Sequence, residues 1–206
     1  LTDRKAEIDA FRSVPFYSVE LNCGEFSAFS ERFDRKDYAE ECAAACADST
    51  AVVTSVEKND KIENAPKLYD LTTLQRDANR LLGYSAQQAL DYLQSLYEKR
   101  FCTYPRSDAK YLTDEMKQSV PAYLAAAARI LDLPVPVTVN ADQICNSAKV
   151  TDHHAIIPTL SAKELDISTL PAGEREILKL IARRLFCAVC NAFLYWEIIV
   201  KLNCNG

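Results

Sequence analysis

Thr103-Tyr104-Pro105-Arg106-Ser107-Asp108 is the stretch on which the reading of this 206-residue chain turns. Tyr104 is a candidate nucleophile. A free phenol, with a pKa of ~10, is ionised in only about one molecule in a thousand at neutral pH, so it needs help to attack anything. Arg106 stands two residues on, with a permanent charge and a fork of donors that matches phosphate. Tyrosine with arginine therefore points to phosphoryl rather than acyl transfer. Pro105 fixes its own φ and pushes Tyr104 into extended backbone, which makes a stiff turn projecting both side chains. The competing reading is an exposed Tyr-Pro-Arg turn with no chemistry at all.

Three further segments lie outward of this turn. Leu71-Thr72-Thr73-Leu74-Gln75 and Gln94-Ser95-Leu96-Tyr97-Glu98-Lys99 precede it, and His153-His154-Ala155-Ile156-Ile157-Pro158-Thr159 follows. In this order the four motifs resemble the central part of a type IA DNA topoisomerase, nearest the topoisomerase III branch. The resemblance covers nearly the whole chain and is firmest over residues 66–160.

The resemblance implies an α+β fold. A β-rich arch domain, residues 1–63 and 166–206, would be interrupted by a helical domain, residues 64–165, that carries the tyrosine. It also implies that Tyr104 attacks a DNA phosphodiester, joins the 5′-phosphate and frees a 3′-hydroxyl. Reversal would reseal the strand after another has passed, without ATP. Arg106 would stabilise charge growing on the phosphate oxygens. His153, Gln94, Thr103 and Ser107 would contact the strand, and such contacts position it without reading its sequence. The resemblance favours His153 over His154, since His153 matches the family's His-x-Ala-Ile-x-Pro-Thr position; adjacent residues on extended chain face opposite ways, so the two would rarely serve one ion. One departure is Ala109, where serine is frequent in the family.

The implied partners are DNA, mainly single-stranded, and the remaining domains of a longer parent. The implied setting is a bacterial cytoplasm, at the nucleoid. Mg2+ is expected in the parent, held by a separate acidic domain with a glutamate and an Asp-x-Asp pair. The present residues show no such cluster, so no cofactor or metal site is expected within them, and the stretch by itself is expected to be inactive in cleavage. Two other readings stay open: a tyrosine relaxase, which would need differently spaced histidines, and a non-enzymatic interaction domain.

The bulk properties agree with a folded, water-exposed protein. Hydrophobic residues make up 49% and charged residues 26%, and the formal charge is −5, enough core for one or two domains. An acidic total weighs against nucleic-acid binding only if charge is spread evenly, and a local basic site can sit on an acidic body. No apolar run reaches the ~20 residues of a membrane helix, and no signal peptide is visible. The 8 cysteines read as reduced structural thiols in a chain this long. Both ends read as cut from something longer.

Along the chain, residues 3–11 read as a helix, 16–22 and 25–30 as strands around Gly24, 37–47 as a helix and 51–57 as a strand. The polar run 59–66 reads as a hinge or a domain boundary. Thr72 with Gln75 and Ser85 with Gln88 have capping-box spacing, opening two helices. Arg76 and Arg80 share one face of the first and are candidate anion contacts, with two solvated arginines near Asp77 as the alternative. Gly83 ends that helix. Pro121 opens another through Leu131, residues 133–139 read as extended, and 160–171 read as a linker. Residues 173–190 form an amphipathic helix, and 193–202 a strand with Trp196.

Overall fold

The computed structural model describes residues 2–135 and 139–205. The expected extended run at 133–139 therefore lies partly outside the described residues. The chain divides into two compact units. One takes the residues up to Lys61 and those from Tyr195 on; the other is Ile62–Leu194.

The first unit opens with α1 (Thr2–Ala10). A short antiparallel hairpin follows, β1 (Glu20–Asn22) and β2 (Ser27–Phe29), with Leu21 opposite Ala28. Gly24 takes φ +91° in its turn, a left-handed conformation that suits glycine. Next come α2 (Lys36–Cys46) and β3 (Val52–Glu63), and the chain returns as β4 (Phe193–Asn203) to pair with β3. Lys61 pairs with Glu197 and Glu57 with Lys201, so one strand advances as the other retreats and the ribbon is antiparallel. Ala39 is the only buried residue among the described residues of this unit. The polar run expected as a hinge is strand as far as Glu63. Lys61 of the run finds a cross-strand partner in Glu197, which composition alone does not reveal.

The second unit holds the core. It contains α3 (Leu71–Leu82), α4 (Ala86–Glu98), α5 (Val120–Leu131) and α6 (Ala172–Ala188). Leu74 and Ala78 of α3 are fully buried, as are Leu93 and Leu96 of α4, Leu124 and Ala127 of α5, and Ile177, Ile181 and Leu185 of α6. These positions recur at helical spacing and merge into one apolar cluster. The expected second capping box is present: Ser85 accepts from the Gln88 backbone, and Gln88 accepts from that of Ser85. The first box starts earlier than expected. Asp70 is the N-cap, its carboxylate accepting from the Thr73 backbone N–H, with Thr73 as the reciprocal partner. An aspartate there adds negative charge at the positive end of the helix, which the Thr72 alternative lacks. Gly83 closes α3 at φ +72°.

The expected domain boundary at 165/166 differs from where the chain divides. The long helix α6 packs with α4 and α5 in the helical unit. A β-carbon on Gly173 would lie 2.3 Å from the Tyr92 ring, so a side chain there would displace the ring of Tyr92, which lies between α4 and α6. The segment read as a linker is packed too: two 3-10 turns, Leu160–Glu164 and Ile167–Thr169, bury Ala162 and Leu170. No helix among the described residues is long and apolar enough to cross a membrane.

Candidate active site

The motif at 153–159 is the seam that gathers the other segments. Its middle is buried from Ala155 to Pro158. On one side Thr103 donates its backbone N–H to the Ile157 carbonyl (3.0 Å), and Thr159 donates to that of Phe101 (3.0 Å). On the other, Ile156 donates to the Tyr69 carbonyl (2.8 Å) and Ala155 to that of Tyr111 (2.9 Å). Buried backbone groups must find partners, and here they find them in the segments that flank Tyr104. Four stretches separated in sequence thus become one small platform.

The approach to Tyr104 is set by the end of α4. Arg100 adopts φ +66°, Phe101 donates to the Leu96 carbonyl (2.8 Å) and Arg100 to that of Tyr97 (2.8 Å). This is a left-handed helix stop made with arginine where glycine is usual. Thr159 Oγ1 donates to the Arg100 carbonyl and secures the turn. Cys102 is then buried, and burial pushes its thiol up to about 12; it is an inert packing group.

Tyr104 follows, half-buried, between two aromatic neighbours. The His153 ring lies against it with centroids 4.0 Å apart and planes tilted by 31°. Tyr97 meets it edge-on at 5.6 Å and 86°, the arrangement ring quadrupoles favour. Arg106 is exposed, and its Nη1 donates to Gln94 Oε1 at 2.9 Å. Gln94 Nε2 in turn donates to Glu98 Oε1 at 2.9 Å. The guanidinium is therefore anchored to α4 through an amide that is itself anchored.

The structure brings Tyr104, Arg106, His153 and Gln94 together, but several take parts other than those expected. Gln94, expected against DNA, spends both amide ends on Arg106 and Glu98. Thr103 Oγ1 donates to the Ala155 carbonyl (3.1 Å) and accepts from the Ile157 backbone (3.0 Å). Ser107 is only 3% exposed; its hydroxyl donates to the His153 carbonyl (3.0 Å) and accepts from the Ala109 backbone (3.1 Å). These two hydroxyls, expected on phosphates, stitch the platform instead. His154 turns aside, with Nδ1 2.9 Å from the Ala155 carbonyl.

Arg76 is exposed on α3, and Arg80 pairs with Asp77 at 3.1 Å. Asp77 also pairs with Arg184 of α6 and accepts from Tyr69 OH at 2.8 Å. Arg80 thus has a carboxylate partner, and the pair of free cations on one face is not formed. Burial raises the Asp77 carboxyl, but the hydrogen bonds from Tyr69 and Arg80 and the charge of Arg184 more than offset it, leaving it below the usual range.

Sequence reasoning missed the part of Tyr97, which is exposed beside Tyr104. Its place seven residues before Tyr104, inside one of the four motifs, was the available signal. The eight cysteines are all free thiols. No group of three or more His, Cys, Asp or Glu side chains among the described residues is placed to hold a metal ion.

The family model described as DNA topoisomerase matches residues 1–206, and the chain belongs to that family, as its four motifs suggested. Among curated relatives, DNA topoisomerase 3 of Bacillus subtilis is 33% identical over all of this chain, and that of Bacillus licheniformis is 32% identical. The chain spans about 30% of the length of each. Among solved structures, full-length topoisomerase I from Thermotoga maritima aligns with a TM-score of 0.66 at 23% identity, over 97% of this chain and 33% of that one. That likeness establishes the α+β fold.

Proposed function

We propose that this chain supplies the nucleophile of a type IA topoisomerase, an ATP-independent isomerase that acts on DNA in the bacterial cytoplasm, at the nucleoid. Tyr104 Oη loses its proton and bonds to the phosphorus of a backbone phosphodiester. The bond from phosphorus to the 3′-oxygen breaks, and that oxygen leaves as a 3′-hydroxyl once protonated. The 5′-phosphate stays on the tyrosine. Attack by the 3′-hydroxyl reverses each bond change, so the energy of the phosphodiester is kept.

The observation that carries this reading is the grip on one phenol. His153 and Tyr97 hold the Tyr104 ring while Gln94 holds Arg106 on the same turn. Arg106 is placed to turn from the neutral Gln94 amide toward a phosphate, a stronger, charge-assisted partner. Gln94 is thus a positioning residue, and Arg106 stabilises charge on the equatorial oxygens. The substrate in this reading is single-stranded DNA, as the likeness to the topoisomerase family implies.

Mg2+ does not fit the residues present. Asp70 caps α3, Asp77 serves two arginines, and Glu174 accepts from Lys99 and Ser95. An ion used by the full-length protein would be held by carboxylates outside this chain, and no step above runs through it.

Mixing the full-length protein with a labelled single-stranded oligonucleotide and quenching with detergent should trap a covalent adduct. Tyr104→Phe should lose it while keeping oligonucleotide affinity. An adduct that survives Tyr104→Phe would place the nucleophile elsewhere.

A further inference from the structure

Lys67, Tyr111 and Lys149 form a cluster that the reaction above does not use. Lys67 Nζ lies 5.0 Å from the centre of the Tyr111 ring, and Lys149 Nζ lies 4.9 Å from it. Lys149 Nζ also donates to Tyr111 OH at 3.4 Å. Both lysines are exposed, and neither is in an ion pair among the described residues. Asp70 is engaged with Lys110 and Thr73, and Asp108 accepts from Thr151. Two ammonium groups so placed repel each other, and a π-face is a weak partner for either. The phenol responds to them: the Lys67 hydrogen bond foremost, and then Lys149, hold Tyr111 below its ordinary pKa despite slight burial.

The cluster is tied to the candidate active site. The Tyr111 carbonyl accepts from Ala155, two residues along the seam from His153. At ~3.3–3.6 Å per extended residue, that separation is about 7 Å of backbone.

We propose that Lys67, Lys149 and Tyr111 form a landing site for the backbone of a single DNA strand, beside the phosphate that Tyr104 attacks. Each ammonium takes a phosphate oxygen, and the Tyr111 hydroxyl donates to one of them. The strand is held without regard to sequence, because only phosphates are touched. The inference rests on the topoisomerase reading, since it names a second contact for the same substrate.

The test uses the full-length protein and a fluorescein-labelled oligothymidylate, with binding read by anisotropy across a salt series. Lys67→Gln combined with Lys149→Gln should reduce the slope of log K against log salt by about 1.4, from ~0.7 per phosphate on a single strand. Tyr111→Leu should weaken binding severalfold. The control Lys5→Gln with Lys163→Gln removes the same charge from other exposed positions and should leave the slope unchanged. Covalent adduct at saturating oligonucleotide should persist in the Lys67/Lys149 variant. An unchanged slope in that variant, or an equal drop in the control, overturns the landing site while the nucleophile assignment stands. Failure of the unsubstituted protein to form any adduct would overturn the topoisomerase reading instead, whatever the slopes.

Discussion

At the scale of residues, the phenol of Tyr104 is held by its ring, between His153 and Tyr97. An edge-on aromatic pair contributes about 0.5–1.5 kcal/mol beyond burial. If that contact orients Tyr104 for attack, Tyr97→Leu should slow adduct formation about 3–10-fold, at ~1.4 kcal/mol per decade. Tyr97→Phe should restore the rate, since it keeps the ring. Single-turnover adduct kinetics check this, and equal slowing in both variants would show that the ring contact does not matter. The meeting of Tyr104 with His153, and of Arg106 with Gln94, was legible because ordered motifs converge on one turn. The duties of Thr103 and Ser107 were not. A hydroxyl next to a candidate nucleophile looks like a phosphate ligand in sequence, but buried backbone groups from a distant segment claim it in the fold. Those groups come from residues 153–157, about fifty positions away.

At the scale of elements, the tie between α3 and α6 is the informative one. Tyr69, Asp77, Arg80 and Arg184 share it, with the Arg184 guanidinium 4.2 Å over the Tyr69 ring. The Asp77 carboxyl is held below its ordinary range in the fold. Its protons therefore bind the unfolded chain more readily, and it adds stability above the unfolded pKa of ~3.9 that is lost as pH falls through the lower folded value. Asp77→Asn should lower the melting temperature at pH 7, by an amount equivalent to about 1–3 kcal/mol for a partly buried, hydrogen-bonded charge. The gap from the unsubstituted protein should narrow toward pH 3, as followed by circular dichroism. A gap that stays constant across that range would show that the carboxylate charge is not what stabilises the tie. The amphipathic period of α6 disclosed that one face is buried. It carried no information on which neighbour buries it, which is why the helix was expected with the strands. Likewise Asp70-Leu71-Thr72-Thr73 and Thr72-Thr73-Leu74-Gln75 are overlapping capping patterns, and only the folded backbone decides between them.

At the scale of the whole chain, the burial is uneven. The apolar cluster lies in the helical unit, and the platform under Tyr104 is built on it, with Leu93 and Leu96 of α4 and residues 155–158 buried beneath the surface residues. A reactive group set on a packed core keeps its geometry better than one on a loop alone. The strands of the other unit were legible as elements from alternation and from Gly24. Their extent was not, because the pairing of Lys61 with Glu197 joins residues far apart in sequence. The central claim is that Tyr104 bonds to DNA phosphorus, and one measurement reaches it most directly. Adduct from the full-length protein is digested with trypsin and nuclease, and the modified peptide is sequenced by mass spectrometry. The account predicts a 5′-nucleotide remnant on Tyr104 within the peptide Phe101-Cys102-Thr103-Tyr104-Pro105-Arg106. A remnant on any other residue would contradict it.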